Sequence, residues 1–202
     1  LLVLLCGSDL LARIDRENEY IIYTENKLSE DLQGLPPNFK NKALGWPPKI
    51  LWTQLRLSFR LFFKKPDVLF VPAHTIPFIH PKNTVTTCHD VGFERYPELY
   101  SPKELSYHRF SMKMAVKSAK RVITVSEFSK RELLDLYKIP EDKISVVYNS
   151  YDEDNFKTAV PEEREAIKNF LGKYGIIEGR QGYQFILYVG RLENKKNILN
   201  LV

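Results

Sequence analysis

The sequence has little of what marks several protein classes. Only two cysteines, Cys6 and Cys88, occur in 202 residues, and no C-x-x-C pair indicates a disulfide framework or a thiolate metal site. None of the nine glycines stands in a G-x-G-x-x-G pattern, which disfavours a nicotinamide-dependent oxidoreductase. No apolar run reaches the length of a membrane span. A reducing, cytoplasmic compartment fits this cysteine usage.

The composition is that of a globular chain with a buried core, at 44% apolar and 27% charged residues. The net charge of +5 is spread along the chain. It favours anionic partners such as phosphates or acidic lipid headgroups without demanding nucleic acid. We therefore expect no nucleic-acid partner.

Short runs rich in β-branched and aromatic residues alternate with longer amphipathic stretches, which is typical of a parallel sheet wrapped by helices. Strands are predicted at residues 20–24, 68–71, 84–88, 122–125, 144–148 and 185–189. Most of these runs are continuously apolar, so both faces should be covered. The predicted fold class is α/β, with a Rossmann-like parallel sheet and the start of a second Rossmann-like domain.

Several helices are predicted from start signals and periodicity. Ser101 begins an S-P-K-E capping box, so a helix should run to about Ala119. Another should follow Ser126 and end before Pro140. A third is predicted over 162–174, and the N-terminal residues 1–13 also have helical spacing.

Residues 49–65 form a basic amphipathic segment without any acidic residue. Its apolar stripe is expected to pack on the sheet, and the alternative is attachment to an acidic membrane through the basic stripe. The apolar stripe comprises Leu51, Trp52, Leu55, Phe59, Phe62 and Phe63, and the basic stripe comprises Arg56, Arg60 and Lys64.

The stretch 153–182 is polar and rich in glycine, which predicts a linker with one helix before a new strand. We therefore predict two domains, 1–152 and 153–202. The chain begins with Leu1 and stops at Val202 inside an unfinished apolar pattern, so we expect both ends to be cut.

Ligands of open α/β sheets bind beyond the carboxyl ends of the strands, and polar residues follow each predicted strand. His89 can donate to a substrate oxygen, and Asp90 can fix the loop by accepting backbone N–H bonds. A structural His and, for Ser126, a simple helix cap are the alternatives. The remaining rim residues are His74, Asn149, Ser150, Gly190 and Arg191.

The run 190–197 (G-R-L-E-N-K-K-N) suggests a diphosphate site. Arg191 offers a planar fork to phosphate oxygens, Lys196 adds a mobile charge, and a helix opening after Asn197 would present free N–H groups. A solvated lysine-rich turn is the alternative.

An ordered series of motifs resembles glycosyltransferase family 4. The motifs are T-T-C-H-D at 86–90, Y-P-E at 96–98, S-A-K-R-V-I-T-V-S-E-F-S-K at 118–130, V-V-Y-N-S at 146–150 and L-Y-V-G-R-L-E at 187–193. The resemblance implies a retaining enzyme of GT-B fold. It is greatest to mannosyltransferase-like members that build polysaccharide or cell-envelope glycans.

The resemblance also implies site roles. His89 would be the catalytic residue near the donor sugar, with Asp90, Ser126 and Asn149 binding substrate, and Arg191 and Lys196 would hold the donor diphosphate. The first domain would bind a glycan or lipid-linked acceptor and the second a GDP- or UDP-sugar, in one crevice, without metal or cofactor. Peripheral contact with the inner face of the membrane is compatible with this.

The family's first strand and glycine-rich loop are expected before residue 1, and its E-x7-E motif beyond residue 202. Glu17 and Glu25 have that separation by coincidence. We therefore expect this chain alone to be inactive.

Two rival functions remain open. A metal-dependent phosphohydrolase of the HD type would use His89 and Asp90, but it needs further ligands, for which only His74, His80 and His108 remain. A non-catalytic sugar-nucleotide-binding or membrane-docking module is the other.

Overall fold

The computed structural model describes residues 11, 13–27, 35–46, 51–151, 153, 156–158, 160–176 and 187–200. Two compact units divide the chain, Leu1–Ser150 and Tyr151–Val202. The predicted N-terminal helix lies mostly outside the described residues; Leu11, Arg13 and Ile14 are described and are helical.

A four-stranded parallel sheet organises the first unit. Its strands are β3 Leu69–Val71, β4 Thr84–Cys88, β5 Arg121–Thr124 and β6 Ile144–Val146, which confirms four predicted strands. Their spatial order follows the chain, and all three pairings are parallel. Parallel strands place their carboxyl ends on one edge, so the residues that follow each strand share a rim.

A second, two-stranded parallel sheet pairs β1, Tyr20–Thr24, with β2, Phe39–Ala43. The first of these strands was predicted and the second was not. The sequence of β2, F-K-N-K-A, contains no apolar run, and four of its five residues are exposed. What holds it is local: the rings of Tyr20 and Phe39 stack at 4.3 Å between centroids.

The predicted helix after Ser101 is present and spans Pro102–Ser118. Ser101 Oγ accepts from the Glu104 N–H and the Glu104 carboxylate accepts from the Ser101 N–H, which confirms the capping box. The helices are α1 Ser58–Phe63, α2 Gly92–Arg95, α3 Pro102–Ser118, α4 Glu127–Tyr137 and, in the second unit, α5 Arg164–Gly172. Single 3₁₀ turns lie at Pro97–Leu99, Glu141–Lys143, Pro161–Glu163, Asn194–Lys196 and Ile198–Asn200.

The predicted packing of the apolar stripe in 49–65 is wrong for every member except Trp52, since Leu51 and Leu55 are also 49% and 45% exposed. A π-helical segment, Trp52–Leu57, precedes α1. Its wider turn rotates the following residues about the helix axis relative to the 3.6-residue period on which the prediction rested. As a result Leu61 is fully buried, whereas Phe59, Phe62 and Phe63 of the predicted core stripe are 62%, 63% and 68% exposed.

Two predicted elements of the second unit extend beyond the described residues. Residues 185 and 186 of the predicted sixth strand lie outside the described part, and Leu187–Val189 forms no strand. A parallel strand needs a neighbouring strand, and none lies in the described residues of this unit. The helix expected after Asn197 is described only as the single turn Ile198–Asn200, which has little macrodipole.

The main core lies between the four-stranded sheet, α3 and α4. Met112 of α3, Val122 of β5 and Leu133 of α4 are each 0% exposed. They belong to one buried cluster whose other members are Cys88, Val91, Phe93, Val116, Ala119, Ile139 and Ile144. This cluster fixes α4 against the sheet and with it the rim residues described below.

We expect Leu133→Ala to lower the free energy of unfolding by about 2–5 kcal/mol, because it removes buried methyl groups and leaves a cavity. Urea denaturation followed by circular dichroism measures this. Phe128→Ala on the same helix is the control, since Phe128 is 64% exposed, and it should change stability by no more than about 0.5 kcal/mol. Equal losses in the two variants would contradict the packing described.

Candidate active site

His89 stands at the carboxyl end of β4 and is fixed there twice. Its backbone carbonyl accepts from Ser129 Oγ at 3.0 Å, which ties it to the first turn of α4. Its ring Nε2 lies 3.1 Å from the Pro72 carbonyl oxygen in the loop after β3. A carbonyl oxygen can only accept, so Nε2 carries the hydrogen.

This contact changes the chemistry expected of His89. With Nε2 as the donor to Pro72, the neutral ring presents Nδ1 as an acceptor. No hydrogen bond to Nδ1 is found within the described ranges, and the side chain is exposed. The ring is therefore suited to accept a hydrogen bond from a substrate hydroxyl, whereas the sequence suggested that it donates one.

Asp90 fixes the loop after β4 as predicted. Its Oδ1 accepts from the Gly92 N–H at 2.8 Å, and its carbonyl accepts from Cys88 Sγ at 3.4 Å. A Cβ added at Gly92 would lie 3.2 Å from Asp90 Oδ1, so glycine keeps this turn tight. Burial is the main reason that the pKa of the Cys88 thiol is raised to about 12, so this cysteine stays a neutral donor.

Ser126 follows β5 and caps α4. Its Oγ accepts from the Ser129 N–H and donates to Ser129 Oγ, both at 3.1 Å. The cap therefore supports the serine that holds His89. Asn149 follows β6 and is exposed on the same rim. Roles for Ser126 and Asn149 in substrate binding stay predictions.

A cleft of about 350 Å³ opens next to Asp90, between the loop after β4 and the start of α4, and His89 is not among its lining residues. Two aromatic side chains on it remain open to solvent, Tyr96 at 59% and Phe128 at 64% exposure. Its lining comprises Asp90, Val91, Gly92, Arg95, Tyr96, Phe128, Ser129 and Glu132. Phe128 was not singled out from the sequence; its place two residues after a capping serine was the available signal.

The cleft has no spare positive charge. Arg95, its one cation, binds the Glu132 carboxylate through two bonds, Nε to Oε2 at 2.6 Å and Nη2 to Oε1 at 2.8 Å, and contacts Asp135 at 3.1 Å. These carboxylates raise the pKa of Arg95, and Arg95 lowers that of Glu132. Asp90 adds a second carboxylate to the lining. The cleft is thus aromatic and slightly negative, which suits an uncharged polar ligand better than a phosphate.

An aromatic cluster supports the rim from below. His74, after β3, lies with Nε2 3.2 Å from Nδ1 of His108 on α3. The His108 ring stacks on Phe93 at 5.3 Å, and Tyr100 meets it edge to face at 5.8 Å. Burial chiefly, and then His108, lowers the pKa of His74 to about 4.

Acid should therefore destabilise the first unit through His74. Its folded pKa lies below the ordinary 6.5, so the neutral ring stabilises the fold above that pH, and this contribution is lost as the pH falls from 6.5 towards 4. His108 and His89 oppose its protonation and Asp90 favours it. Between about pH 7 and pH 4.5 the loss should be about 2 kcal/mol.

Urea denaturation of the chain and of His74→Gln at both pH values measures this contribution. The acid-induced loss of stability should be smaller in the variant by about 2 kcal/mol. Parallel losses in the two proteins would show that His74 is not the titrating group.

The second unit carries the other predicted cations on its surface. Arg191 Nε pairs with Glu193 Oε1 at 3.0 Å, and Lys195 with Glu193 Oε2 at 3.2 Å. Lys196 ends the turn Asn194–Lys196, is exposed, and forms no ion pair with any described residue. Two of these three cations thus contact one carboxylate on a short turn.

Two features of the described residues concern the rival functions. They contain no group of three His, Cys, Asp or Glu side chains placed to hold a metal ion. None of their helices has both the length and the apolar character needed to cross a bilayer.

Comparison with known proteins gives the following relatives. O-antigen chain mannosyltransferase RfbU of Salmonella typhimurium strain LT2 is 35% identical over 115 residues, which is 57% of this chain and 31% of that protein. O-antigen chain mannosyltransferase B of Escherichia coli is 31% identical over 121 residues, 60% of this chain and 30% of that protein. An uncharacterized glycosyltransferase of Methanocaldococcus jannaschii is 30% identical over 118 residues, 58% of this chain and 29% of that protein.

The chain thus spans about 30% of the length of the curated relatives that it matches. The family model described as Glycosyltransferase Family 4 matches residues 12–155. This range includes both parallel sheets, the His89 loop and the cleft. The chain belongs to glycosyltransferase family 4.

Proposed function

We propose that this chain is part of an enzyme that transfers a hexose such as mannose from a GDP- or UDP-sugar to a glycan or lipid-linked acceptor, with retention of configuration. The observation that carries this is the anchored His89 at the rim of a parallel sheet within the range matched by the family. Two relatives named as O-antigen chain mannosyltransferases support polysaccharide or cell-envelope synthesis.

In the proposed reaction the bond between the anomeric carbon and the donor diphosphate breaks, and a bond from that carbon to an acceptor hydroxyl oxygen forms on the same face. The acceptor proton passes to the departing phosphate. Neutral His89 accepts through Nδ1 from a hydroxyl of the donor sugar and so orients the ring. This contact strengthens catalysis only if it is tighter when positive charge develops on the sugar.

Arg191 and Lys196 are proposed to bind the donor diphosphate. Negative charge on the leaving phosphate increases in the transition state, and fixed cations stabilise that charge more than the ground state. Arg191 would exchange the Glu193 carboxylate for phosphate oxygens. The division into an acceptor-side domain, 1–152, and the beginning of a donor-side domain, 153–202, is part of this proposal.

The cleft between the loop after β4 and α4 is proposed to bind the acceptor sugar. Sugar rings present C–H faces that pack on aromatic side chains, and Tyr96 and Phe128 are exposed on the cleft. Arg95, the cation of the cleft, is paired with Glu132 and is not offered to an anionic ligand. Asp90 lines the cleft and Ser126 caps the helix that borders it, and their substrate contacts are part of the proposal.

Phe128→Ala should raise the KM for acceptor roughly 3- to 10-fold, because one aromatic contact is worth about 0.5–1.5 kcal/mol. The KM for the nucleotide sugar should stay the same. Steady-state kinetics with either substrate varied separates the two constants, and Phe170→Ala, an exposed aromatic on α5, is the control. A change in the KM for the nucleotide sugar alone would show that the acceptor does not bind in this cleft.

The test of the whole proposal uses the polypeptide encoded by the complete reading frame. It is incubated with GDP- and UDP-hexoses and a lipid-linked acceptor extract, and the linkage of the product is read by NMR. Transfer with the donor's anomeric configuration supports the proposal. Binding of a nucleoside diphosphate without transfer would favour the non-catalytic alternative, and an inverted product would remove the retaining mechanism.

The proposed donors are nucleotide sugars of the cytoplasm, so we place the reaction there. A lipid-linked acceptor would bring the enzyme to the inner face of the membrane as a peripheral protein.

A further inference from the structure

Three phenylalanines of α1 form an exposed aromatic edge: Phe59, Phe62 and Phe63. Their exposed fractions are 62%, 63% and 68%. Phe63 meets Phe59 edge to face at 5.0 Å and Phe62 at 5.2 Å. The rings are therefore already assembled, and a contiguous apolar patch of this kind marks an interaction surface.

The helix that carries the aromatic edge is firmly held. Trp52, Leu57 and Leu61 on its other side are buried in a cluster with β3 and α3 residues. Trp52 Nε1 donates to the Leu44 carbonyl at 2.7 Å. Exposure of the three rings is thus a consequence of how the helix packs and does not reflect a loosely attached segment.

The charge around the aromatic edge is positive. Residues 51–66 contain no Asp or Glu, and Lys64 and Lys65 directly follow the rings and are exposed. Two carboxylates lie among these charges. The exposed Asp67 follows Lys65 by two residues, and Glu19 binds Lys40 at 2.9 Å. Lys40 and then Lys64 lower the pKa of Glu19. Three lysines thus outnumber two carboxylates, and the local charge stays positive.

Of the basic stripe expected from the sequence, only Lys64 is placed to contact an outside surface. Arg56 Nε donates to the Gly45 carbonyl at 3.2 Å, and the Arg60 guanidinium lies 6.0 Å from the Tyr23 ring centroid. Both arginines therefore remain against the protein. Lys64 and Lys65 are the cations that can follow the aromatic edge onto a surface.

A second exposed aromatic pair lies beside the same helix. Phe78 and Phe110 meet edge to face at 6.3 Å and are 51% and 53% exposed. The loop that carries Phe78 is tied to α1, because the Ile79 N–H donates to Ser58 Oγ at 3.2 Å. The apolar surface thus extends past α1 itself.

We propose that the aromatic edge inserts into the headgroup region of an anionic lipid bilayer, with Lys64 and Lys65 on the lipid phosphates. Rings without polar partners suit the boundary of acyl chains, and the net positive charge of the flanking lysines suits a negative surface. Only the choice of the inner leaflet rests on the proposed function. Docking through the basic stripe would weaken in concentrated salt, whereas binding through inserted rings would resist salt.

The test uses the polypeptide of the complete reading frame and vesicles of phosphatidylcholine with or without phosphatidylglycerol. Sedimentation should show binding to the anionic vesicles. The double variant Phe62→Ser with Phe63→Ser should weaken it at least about ten-fold at low and at high salt. Lys64→Gln with Lys65→Gln should weaken it roughly twenty-fold at low salt and far less in concentrated salt.

Phe170→Ser is the control, since Phe170 is similarly exposed, at 57%, on α5; its vesicle binding should equal that of the parent. Unchanged binding in the Phe62→Ser, Phe63→Ser variant, or no binding of the parent protein, would overturn the proposal. So would a concentration-dependent dimer in ultracentrifugation that this variant abolishes, because the edge would then bind a second copy.

Transfer to a water-soluble acceptor distinguishes this proposal from the proposed function. The Phe62→Ser, Phe63→Ser variant should retain that activity while losing vesicle binding. Vesicle binding without any sugar transfer would support the lipid proposal and contradict the enzymatic one. Sugar transfer without vesicle binding would support the enzymatic proposal and contradict the lipid one.

Discussion

Replacing His89 with alanine should lower kcat for sugar transfer by about 10²–10³-fold, the usual effect of losing one polar group that acts in the transition state. The fold should survive, because His89 is exposed and its carbonyl, which Ser129 holds, remains in the variant. Transfer is measured with the complete reading frame and a radiolabelled nucleotide sugar, and folding is checked by thermal denaturation.

Two conservative variants separate the roles of the ring nitrogens. His89→Gln can place an N–H near the Nε2 position and keep the contact with Pro72, but it removes the Nδ1 acceptor. His89→Asn can place an oxygen near the Nδ1 position and loses the contact with Pro72. If Nδ1 accepts from the donor sugar, asparagine should restore part of the activity and glutamine should not.

His80→Gln is the matched control for these variants. His80 lies before the opposite end of β4, where its Nδ1 contacts the Pro81 carbonyl at 3.0 Å and Thr84 Oγ1 at 2.9 Å. We expect its kcat to stay within about two-fold, as for a surface substitution away from the chemistry. Full activity in His89→Ala, or rescue by glutamine in place of asparagine, would contradict the proposed role of Nδ1.

The sheet could be predicted because its strands are chemically uniform. Runs such as T-V-T-T-C and R-V-I-T are rich in β-branched residues, which favour strands and can be recognised locally. The expected burial of both faces holds for β4, in which four of five residues are buried, but not for β5, in which Arg121 is exposed. The start of α3 could be predicted equally well, because a capping box is formed by residues that are close in sequence. The order of parallel strands then places His89, Ser126 and Asn149 on one rim without further information.

What could not be predicted depends on interactions across the fold. Strand β2 has no apolar run and is held by pairing with β1. The solvent exposure of Phe62 follows from a π-helical segment that no local propensity announces. The tautomer of His89 depends on Pro72, seventeen residues earlier. The cleft between the β4 loop and α4 joins Tyr96 to Phe128, which are far apart in sequence.

Arg191→Ala should weaken binding of GDP or UDP to the protein of the complete reading frame by about 10- to 150-fold, since a charge-assisted hydrogen bond contributes about 1.5–3 kcal/mol. Adding Lys196→Ala should bring the loss to about 10³-fold, with less than full additivity if both cations contact one phosphate. Isothermal titration at low ionic strength measures both, because salt screens exposed charges.

The pairing of Arg191 and Lys195 with Glu193 gives this prediction a second arm. In this turn the Glu193 carboxylate binds two cations, at 3.0 and 3.2 Å, and a diphosphate would have to displace it. Glu193→Gln removes that competitor, so nucleotide affinity should rise by about two- to five-fold, the scale of an exposed ion pair. Lys168→Ala, an exposed cation on α5, controls for net charge. If Lys168→Ala weakens binding as much as Arg191→Ala, the effect is general electrostatic attraction and the turn is not the diphosphate site.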